Sequence, residues 1–404
     1  MSEQRKEVIR AMTIDMALKR VIITASIAIT LILLTGCNGK NTQAVETVSV
    51  TDSTSSIITD ELSILRDQEF AFASAVISPK AFEDMGFEYG DSVDVSFSNG
   101  FSLTDIPYYN GFYVKVGEPL VCLYPGYEYP AIAYSGGPSL YDEAGLNEND
   151  TVRISLHERG KYISIQNSLS MAYSTDREDY SSDEAFANFR AMKGGDLKDE
   201  YIYRSASPCN NQYNRAPYAS RLMENQDIRN ILDLADKEEK TASYYSDASL
   251  DNAYWREVYE NDGVCELGMS ASYYSDDFKS HLADMFRYII EKDGPFLIHC
   301  TEGKDRTGFV CFVIEALAGA SIEELENDYM LTYENYYNIT KSSNESSYEA
   351  IKKVKFDDFI ENICQVDDAK EVTEDQLYDG VVVYLTSAGL TETEIEQFKE
   401  KVMK

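Results

Sequence analysis

The feature that most constrains this chain is residues 295–308. There the apolar run Pro295-Phe296-Leu297-Ile298 leads into His299-Cys300-Thr301-Glu302-Gly303-Lys304-Asp305-Arg306-Thr307-Gly308, and the stretch 309–317 that follows is apolar nearly all round. A short apolar run before a loop reads as a strand buried on both faces, as in a parallel sheet. A helix apolar all round reads as buried. A loop between such a strand and such a helix turns its N–H groups into one concavity, and the helix start adds about half a positive charge. That nest suits a phosphate dianion and also stabilises a thiolate. Cys300 is therefore the candidate nucleophile, ready at neutral pH. Arg306 lies where the loop closes, and its planar fork can hold two phosphate oxygens, which Lys cannot match. Thr307 offers a hydroxyl to the departing sulfur, and Gly303 permits a turn that a Cβ would hinder. Lys304 adds a cation. The phosphate-binding loop is thus Thr301, Glu302, Gly303, Lys304, Asp305 and Arg306, with Glu302 expected to face solvent or tune substrate choice.

That positive loop sits in an acidic chain. The 404 residues carry a formal charge of −34, a balance that repels nucleic acid and offers no polybasic membrane patch. The length suggests about two domains. Residues 68–167 read as all-β. Val93, Val95 and Phe97 alternate with polar partners, as do Val152, Ile154 and Leu156, and a turn at Glu158-Arg159-Gly160 leads into a further strand from Tyr162 to Ile165. Gly and Pro punctuation suggests a small barrel or sandwich. From residue 183 onward, strands alternate with helices. Asn230-Ile231-Leu232-Asp233-Leu234 reads as a second buried strand, and residues 278–291 as an amphipathic helix. Ser321 with Glu324, Thr373 with Gln376 and Thr391 with Glu394 have the spacing of capping boxes. The expected fold is therefore an α/β domain over 183–404, with a central mostly parallel sheet flanked by helices, preceded by a small all-β barrel-like domain.

The N-terminus carries a different signal. Met16 is followed by Lys19 and Arg20, then by 14 uncharged residues ending in Leu34-Thr35-Gly36-Cys37. That run is too short for a spanning helix, which needs about 20 residues. A small residue before Cys at its end is similar to the bacterial lipoprotein signal. The resemblance implies cleavage of residues 1–36 and lipid on Cys37, with residues 37–67 as a flexible tether and the protein held outside the cell membrane. The remaining cysteines lack close pairs and the three histidines lack ligand spacing, so neither a disulfide framework nor a metal site is expected.

His-Cys-x-x-Gly-Lys-Asp-Arg-Thr-Gly resembles the cysteine-dependent tyrosine phosphatase superfamily, and more narrowly its bacterial secreted tyrosine/lipid phosphatase branch with Lys-Asp before the Arg. Asn188-Phe189-Arg190 with Gly194-Gly195, Tyr203-Arg204-Ser205 and Ile231-Leu232-Asp233-Leu234 are similar to successive motifs of that branch, as is Tyr384-Leu385 with Gly389-Leu390-Thr391 near the C-terminus. Ala191 stands where the branch usually has an acid, and the segment 210–217 looks inserted. The all-β segment has Gly90-Asp91, Asn99-Gly100, Val116-Gly117-Glu118-Pro119-Leu120 and Gly145-Leu146 with Asp150-Thr151-Val152. In these it resembles the C-terminal domain of S-adenosylmethionine hydroxide adenosyltransferases, which implies a fold and no activity.

The phosphatase resemblance implies hydrolysis of phosphomonoesters through a phosphocysteine, with no cofactor. Phosphotyrosine protein is the default substrate, and phosphoinositides or inositol phosphates are the rivals, because Lys304 could contact additional phosphates. A non-catalytic phosphate-binding surface lipoprotein is the remaining alternative. Leaving-group protonation needs a carboxylic acid near the bridging oxygen. Asp305 in the loop is the preferred proton donor and Asp276 the second, although Asp276 also reads as a helix N-terminal residue.

Overall fold

The computed structural model describes residues 57–67 and 72–404. The expected signal peptide, and Cys37 with it, lie outside the described residues. Seven strands close into a barrel: β1 (Leu62–Arg66), β2 (Ala73–Ala75), β3 (Ser92–Phe97), β4 (Ser102–Tyr109), β5 (Pro119–Cys122), β6 (Ala131–Tyr134) and β7 (Thr151–Glu158), in the order β1-β2-β6-β5-β4-β3-β7. The alternation read from the sequence is the cause. Val93, Val95 and Phe97 on β3 and Val152 and Ile154 on β7 point into the barrel and are buried. Phe82 and Phe87 stack at 4.2 Å within the same core. Fully burying one such side chain contributes about 1.5–3 kcal/mol.

Two boundaries differ from expectation. Residues 62–66, assigned to the tether, form β1, because Leu62 pairs with Val152 of β7 and Ile64 is buried in the barrel core. A tether reading missed this because five residues of weak alternation need partners to define them. The strand expected from Tyr162 to Ile165 is instead a helix, Ile163–Leu169, which follows the turn at Gly160 and lies against the barrel: Tyr162 and Ile165 pack on Tyr109 instead of pairing with a strand. Two more short helices, Pro79–Asp84 and Leu140–Glu143, interrupt the all-β segment.

The second unit is built on a five-stranded sheet: β8 (Arg190–Ala191), β9 (Ile202–Ser205), β10 (Asn230–Asp233), β11 (Val264–Glu266) and β12 (Phe296–His299), in the order β11-β10-β12-β9-β8. All pairs are parallel except that of β8 with β9. β12 is central, and all four of its residues are buried. In an open parallel sheet the chemistry collects at the carboxyl ends of the strands. Here that edge holds Asp233, His299 and Ser205 in one row of the register. The helix Asp305–Leu317 follows β12, and all its residues from Thr307 onward are buried. The three capping boxes form as expected.

The two units meet through specific contacts. Lys115 pairs with Glu361 at 2.5 Å, the Val116 N–H donates to Asp358 Oδ2 at 3.1 Å, and Lys355 Nζ donates to the Phe112 carbonyl at 2.8 Å. The barrel is thereby fastened to the α/β unit and presents Tyr113 and Tyr124 within electrostatic reach of Lys304.

Candidate active site

Cys300 follows the last residue of β12 and is almost fully buried, at 3 % exposure. The helix Asp305–Leu317 begins five residues later without a side-chain cap, so its first N–H groups remain available to the loop. Gly303 has φ +66°, and a Cβ there would lie 2.2 Å from the Ser205 carbonyl oxygen, so only glycine fits. A Cβ on Gly308 would meet the Tyr329 ring at 2.8 Å, which explains the glycine that lets this helix pack.

From the interior, the loop is held by buried charge. The Gly303 carbonyl accepts hydrogen bonds from Asn188 Nδ2 and Arg204 Nη2, both at 3.0 Å. Asp328 anchors that pair of motifs: it accepts from Arg190 Nε at 2.6 Å and from Arg204 Nη1. Burial works to raise the Asp328 carboxyl, but the two guanidiniums outweigh it and hold the group at about 2. The Ser207 N–H donates to the Thr301 carbonyl at 3.2 Å and closes the other shoulder.

From the outside, aromatic side chains grip the same loop. The Tyr173 hydroxyl donates to Glu302 Oε1, and the Tyr336 hydroxyl donates to the Glu302 carbonyl at 2.6 Å. Arg215, 1 % exposed, stacks over Tyr173 at 4.5 Å and Tyr336 at 4.2 Å. Cation–π contacts of this kind contribute about 0.5–2 kcal/mol. The segment 210–217, which departs from the resembled pattern, thus supplies Arg215 and Tyr213 to the clamp. Glu302 therefore does not face solvent freely, contrary to expectation; its side chain is 17 % exposed because Tyr173 covers it.

Lys304 is similarly committed. Its Nζ lies 3.6 Å from Glu302, 3.8 Å from Asp305 and 3.2 Å from the Tyr337 hydroxyl. Burial disfavours its charge, but Asp305 and Glu302 overcome that and push it well above the usual lysine range. Arg306 donates through Nη1 to the Met269 carbonyl at 3.0 Å and through Nη2 to Thr301 Oγ1 at 3.4 Å. Burial opposes its charge too, and Cys300, Tyr273 and Asp233 restore and raise it. Thr307 is fully buried with its hydroxyl unpaired, and so has a hydrogen to give to a ligand or a sulfur.

The two acid candidates separate. Asp305 sits in the first turn of the loop helix, 43 % exposed at its side chain and beside Lys304. Asp276 lies in the first turn of the helix Asp276–Glu291, where Ser275 is the cap, and its exposed carboxylate makes no hydrogen bond or ion pair among the described residues. Both carboxylates thus have the place of a dipole partner, and Asp305 differs in that its helix opens directly from the Cys300 loop. His299 is fully buried, and that burial lowers it to about 4, so it is neutral at physiological pH.

Sequence reasoning missed Asp328, Tyr173, Tyr336 and Arg215, which lie far from the loop in sequence. It also expected no metal site, because no ligand spacing is visible along the chain. Folding nevertheless gathers Cys209, Asp233 and Asp236, with ligand atoms within 4.8 Å of one another.

Residues 185–404, more than half of the chain, match the family model described as the tyrosine phosphatase family. Among solved structures, the chain is similar to the core catalytic domain of the PP-IP phosphatase SIW14 from S. cerevisiae in complex with citrate. The identity is 21%, covering 44% of this chain and 92% of that one, with a TM-score of 0.26. A second structure, of the Siw14 catalytic core, is 20% identical over 44% of this chain and 90% of its own, with a TM-score of 0.25. No curated protein matches.

Proposed function

The chain belongs to the tyrosine phosphatase family and is a cysteine-dependent phosphoric monoester hydrolase, and from that premise we propose that its substrate is phosphotyrosine in protein and that Cys300 is its nucleophile. The observation that carries the substrate choice is the commitment of Lys304 to Glu302 and Asp305. A cation already paired with the Glu302 carboxylate and bonded to the Tyr337 hydroxyl adds little attraction for second and third phosphates, which an inositol phosphate would need, even when Asp305 carries a proton. The rim supports the same reading. Tyr173, Tyr213 and Tyr337 surround the loop, and Tyr124 of the barrel stands close enough to feel Glu302 and Lys304. Aromatic walls of this kind suit a phenyl ring more than a polyol.

In this reading Cys300 attacks phosphorus, and the phosphoryl oxygens rest on the loop N–H groups and the Arg306 fork. Arg306 is pre-aimed by Met269 and Thr301, so little is reorganised at the moment of reaction. Asp305 gives its proton to the leaving oxygen. Water then attacks the phosphocysteine, and the unpaired Thr307 hydroxyl donates to the departing sulfur. A panel of phosphotyrosine peptide, phosphoserine peptide, phosphoinositide and inositol hexakisphosphate tests the choice. The phosphotyrosine peptide is expected to have the highest kcat/KM, by at least about tenfold. A higher value for either inositol-based substrate would transfer the assignment to that class.

The sequence signal around Leu34-Thr35-Gly36-Cys37 supports export and a lipid anchor on Cys37 as the setting of this activity. Labelled palmitate incorporated by cells making the full chain, and lost in Cys37→Ser, is the expected outcome. Equal labelling of both chains would reject the anchor.

A further inference from the structure

Beside the phosphate loop the chain gathers three ligand-type side chains that hydrolysis does not use. Cys209 lies in the loop after β9, Asp233 ends β10, and Asp236 lies three residues further on. Cys209 and Asp233 are both at 0 % exposure. Asp233 Oδ1 accepts the N–H groups of Ala235 at 2.9 Å and Asp236 at 3.0 Å. Its other oxygen, Oδ2, and Asp236 Oδ2 are shielded from solvent and have no hydrogen-bond partner of ordinary length, with the Tyr244 hydroxyl the neighbour that faces Asp236. Leaving a buried polar atom unpaired costs roughly 1–3 kcal/mol; Arg306 acts on both carboxyls but bonds to neither, so two such oxygens gathered with a thiol leave a place for a cation in direct contact. His299 adds to the pattern: its Nδ1 lies 3.9 Å from Asp233 Oδ1, and its buried Nε2 is also unpartnered.

We infer that Cys209, Asp233 and Asp236 bind a divalent cation of the zinc class. A thiolate with two carboxylates suits a borderline-soft ion, whereas magnesium and calcium take oxygen ligands. Zinc–sulfur bonds of about 2.3 Å and zinc–oxygen bonds of about 2.0–2.2 Å place tetrahedral ligand atoms about 3.3–3.7 Å apart. The observed spread of up to 4.8 Å closes on an ion with shifts of about 1 Å. Three protein ligands leave a fourth position for water. As the metal–sulfur bond forms, the Cys209 thiol proton leaves to solvent, together with any proton held by the carboxyl pair. The Ser207 hydroxyl, 3.3 Å from Cys209 Sγ, then donates to the bound thiolate and fixes its direction.

Cobalt(II), whose thiolate complexes absorb in the near ultraviolet, is the probe, titrated into the full Cys300→Ser chain so that the reaction-centre thiol cannot respond. One thiolate-to-cobalt band per chain is expected, displaced by one equivalent of zinc and accompanied by a higher melting temperature. Adding Cys209→Ser removes the band. It also weakens zinc by more than the roughly 10–100-fold that loss of a mere outer partner costs. Asp236→Asn, at the half-buried position, weakens zinc likewise, and circular dichroism checks that both variants fold. A band that survives in folded Cys209→Ser, zinc affinity unmoved by Asp236→Asn, or no band in the parent chain would overturn the assignment. No band in the parent would leave Asp233 and Asp236 as carboxyls that share protons. Hydrolysis in the otherwise unaltered chain is read separately, so failure of the phosphatase reading and failure of the metal site are distinguishable.

Discussion

The phosphate loop is gripped from two sides by different chemistry. On the inner side Asn188 and Arg204 hold the Gly303 carbonyl, and Asp328 ties Arg204 to Arg190 within the fold. On the outer side Tyr173, Tyr336 and Tyr337 hold Glu302 and Lys304, braced by Arg215. The inner contacts are buried ions that cannot rearrange without exposing charge to an apolar interior. The outer contacts are hydroxyls and ring faces, with Tyr173 and Tyr337 partly exposed and Tyr336 and Arg215 buried behind them. The difference teaches which side sets what: the inner side fixes the loop's shape, and the outer side adjusts what may enter it.

The largest expected effect breaks the inner side. Asp328→Asn removes the carboxylate that bonds both Arg190 and Arg204, leaving them only the buried Glu315 nearby, and should cost about 3–5 kcal/mol in urea unfolding. Little change would mean that the buried ions carry no structural load. Arg306→Lys keeps the charge but loses the fork, and kcat on an aryl phosphate should fall roughly 10²–10³-fold with the fold intact. Asp305→Asn should lower kcat roughly 10²-fold, and more for phenyl phosphate than for 4-nitrophenyl phosphate, whose leaving group needs less protonation. Equal losses on both esters would remove Asp305 from the proton-donor role.

Acid tests the inner side through Asp328. Asp328 is held at about 2, below its unfolded value. Its stabilisation is therefore present above the unfolded pKa near 4 and is lost as pH falls from about 4 through about 2. The amount is about 2 kcal/mol, visible as a steeper acid unfolding curve in the parent chain than in Asp328→Asn. The smallest effect belongs to the rim. Tyr173→Phe removes one hydroxyl from Glu302 and should change kcat/KM for a phosphotyrosine peptide by roughly 2–10-fold, with stability nearly unchanged. A loss as large as that of Asp328→Asn would erase the distinction between the two sides.

The legibility of the sequence divides along the same line. Residues adjacent along the chain were readable: the loop with its flanking strand and helix, the alternation of β3 and β7, and the three capping boxes all depend on local period and spacing. Parts of the inner side were visible as Asn188-Phe189-Arg190 and Tyr203-Arg204, but their partner Asp328 sits on a helix where an acid looks like any solvated residue. The outer side was not legible. Tyr173 is one of 30 tyrosines, in a segment with no periodicity, and only the folded chain brings it to Glu302. Strand β1 was hidden for a related reason, since its identity comes from pairing with β2 and β7.

The most direct test of the account is the pre-steady-state hydrolysis of 4-nitrophenyl phosphate by the parent chain and by Cys300→Ser. The account predicts a phosphocysteine on the peptide bearing Cys300 after rapid quenching, and a fall in turnover of at least about 10³-fold in the variant. Turnover by folded Cys300→Ser at the parental rate would contradict it.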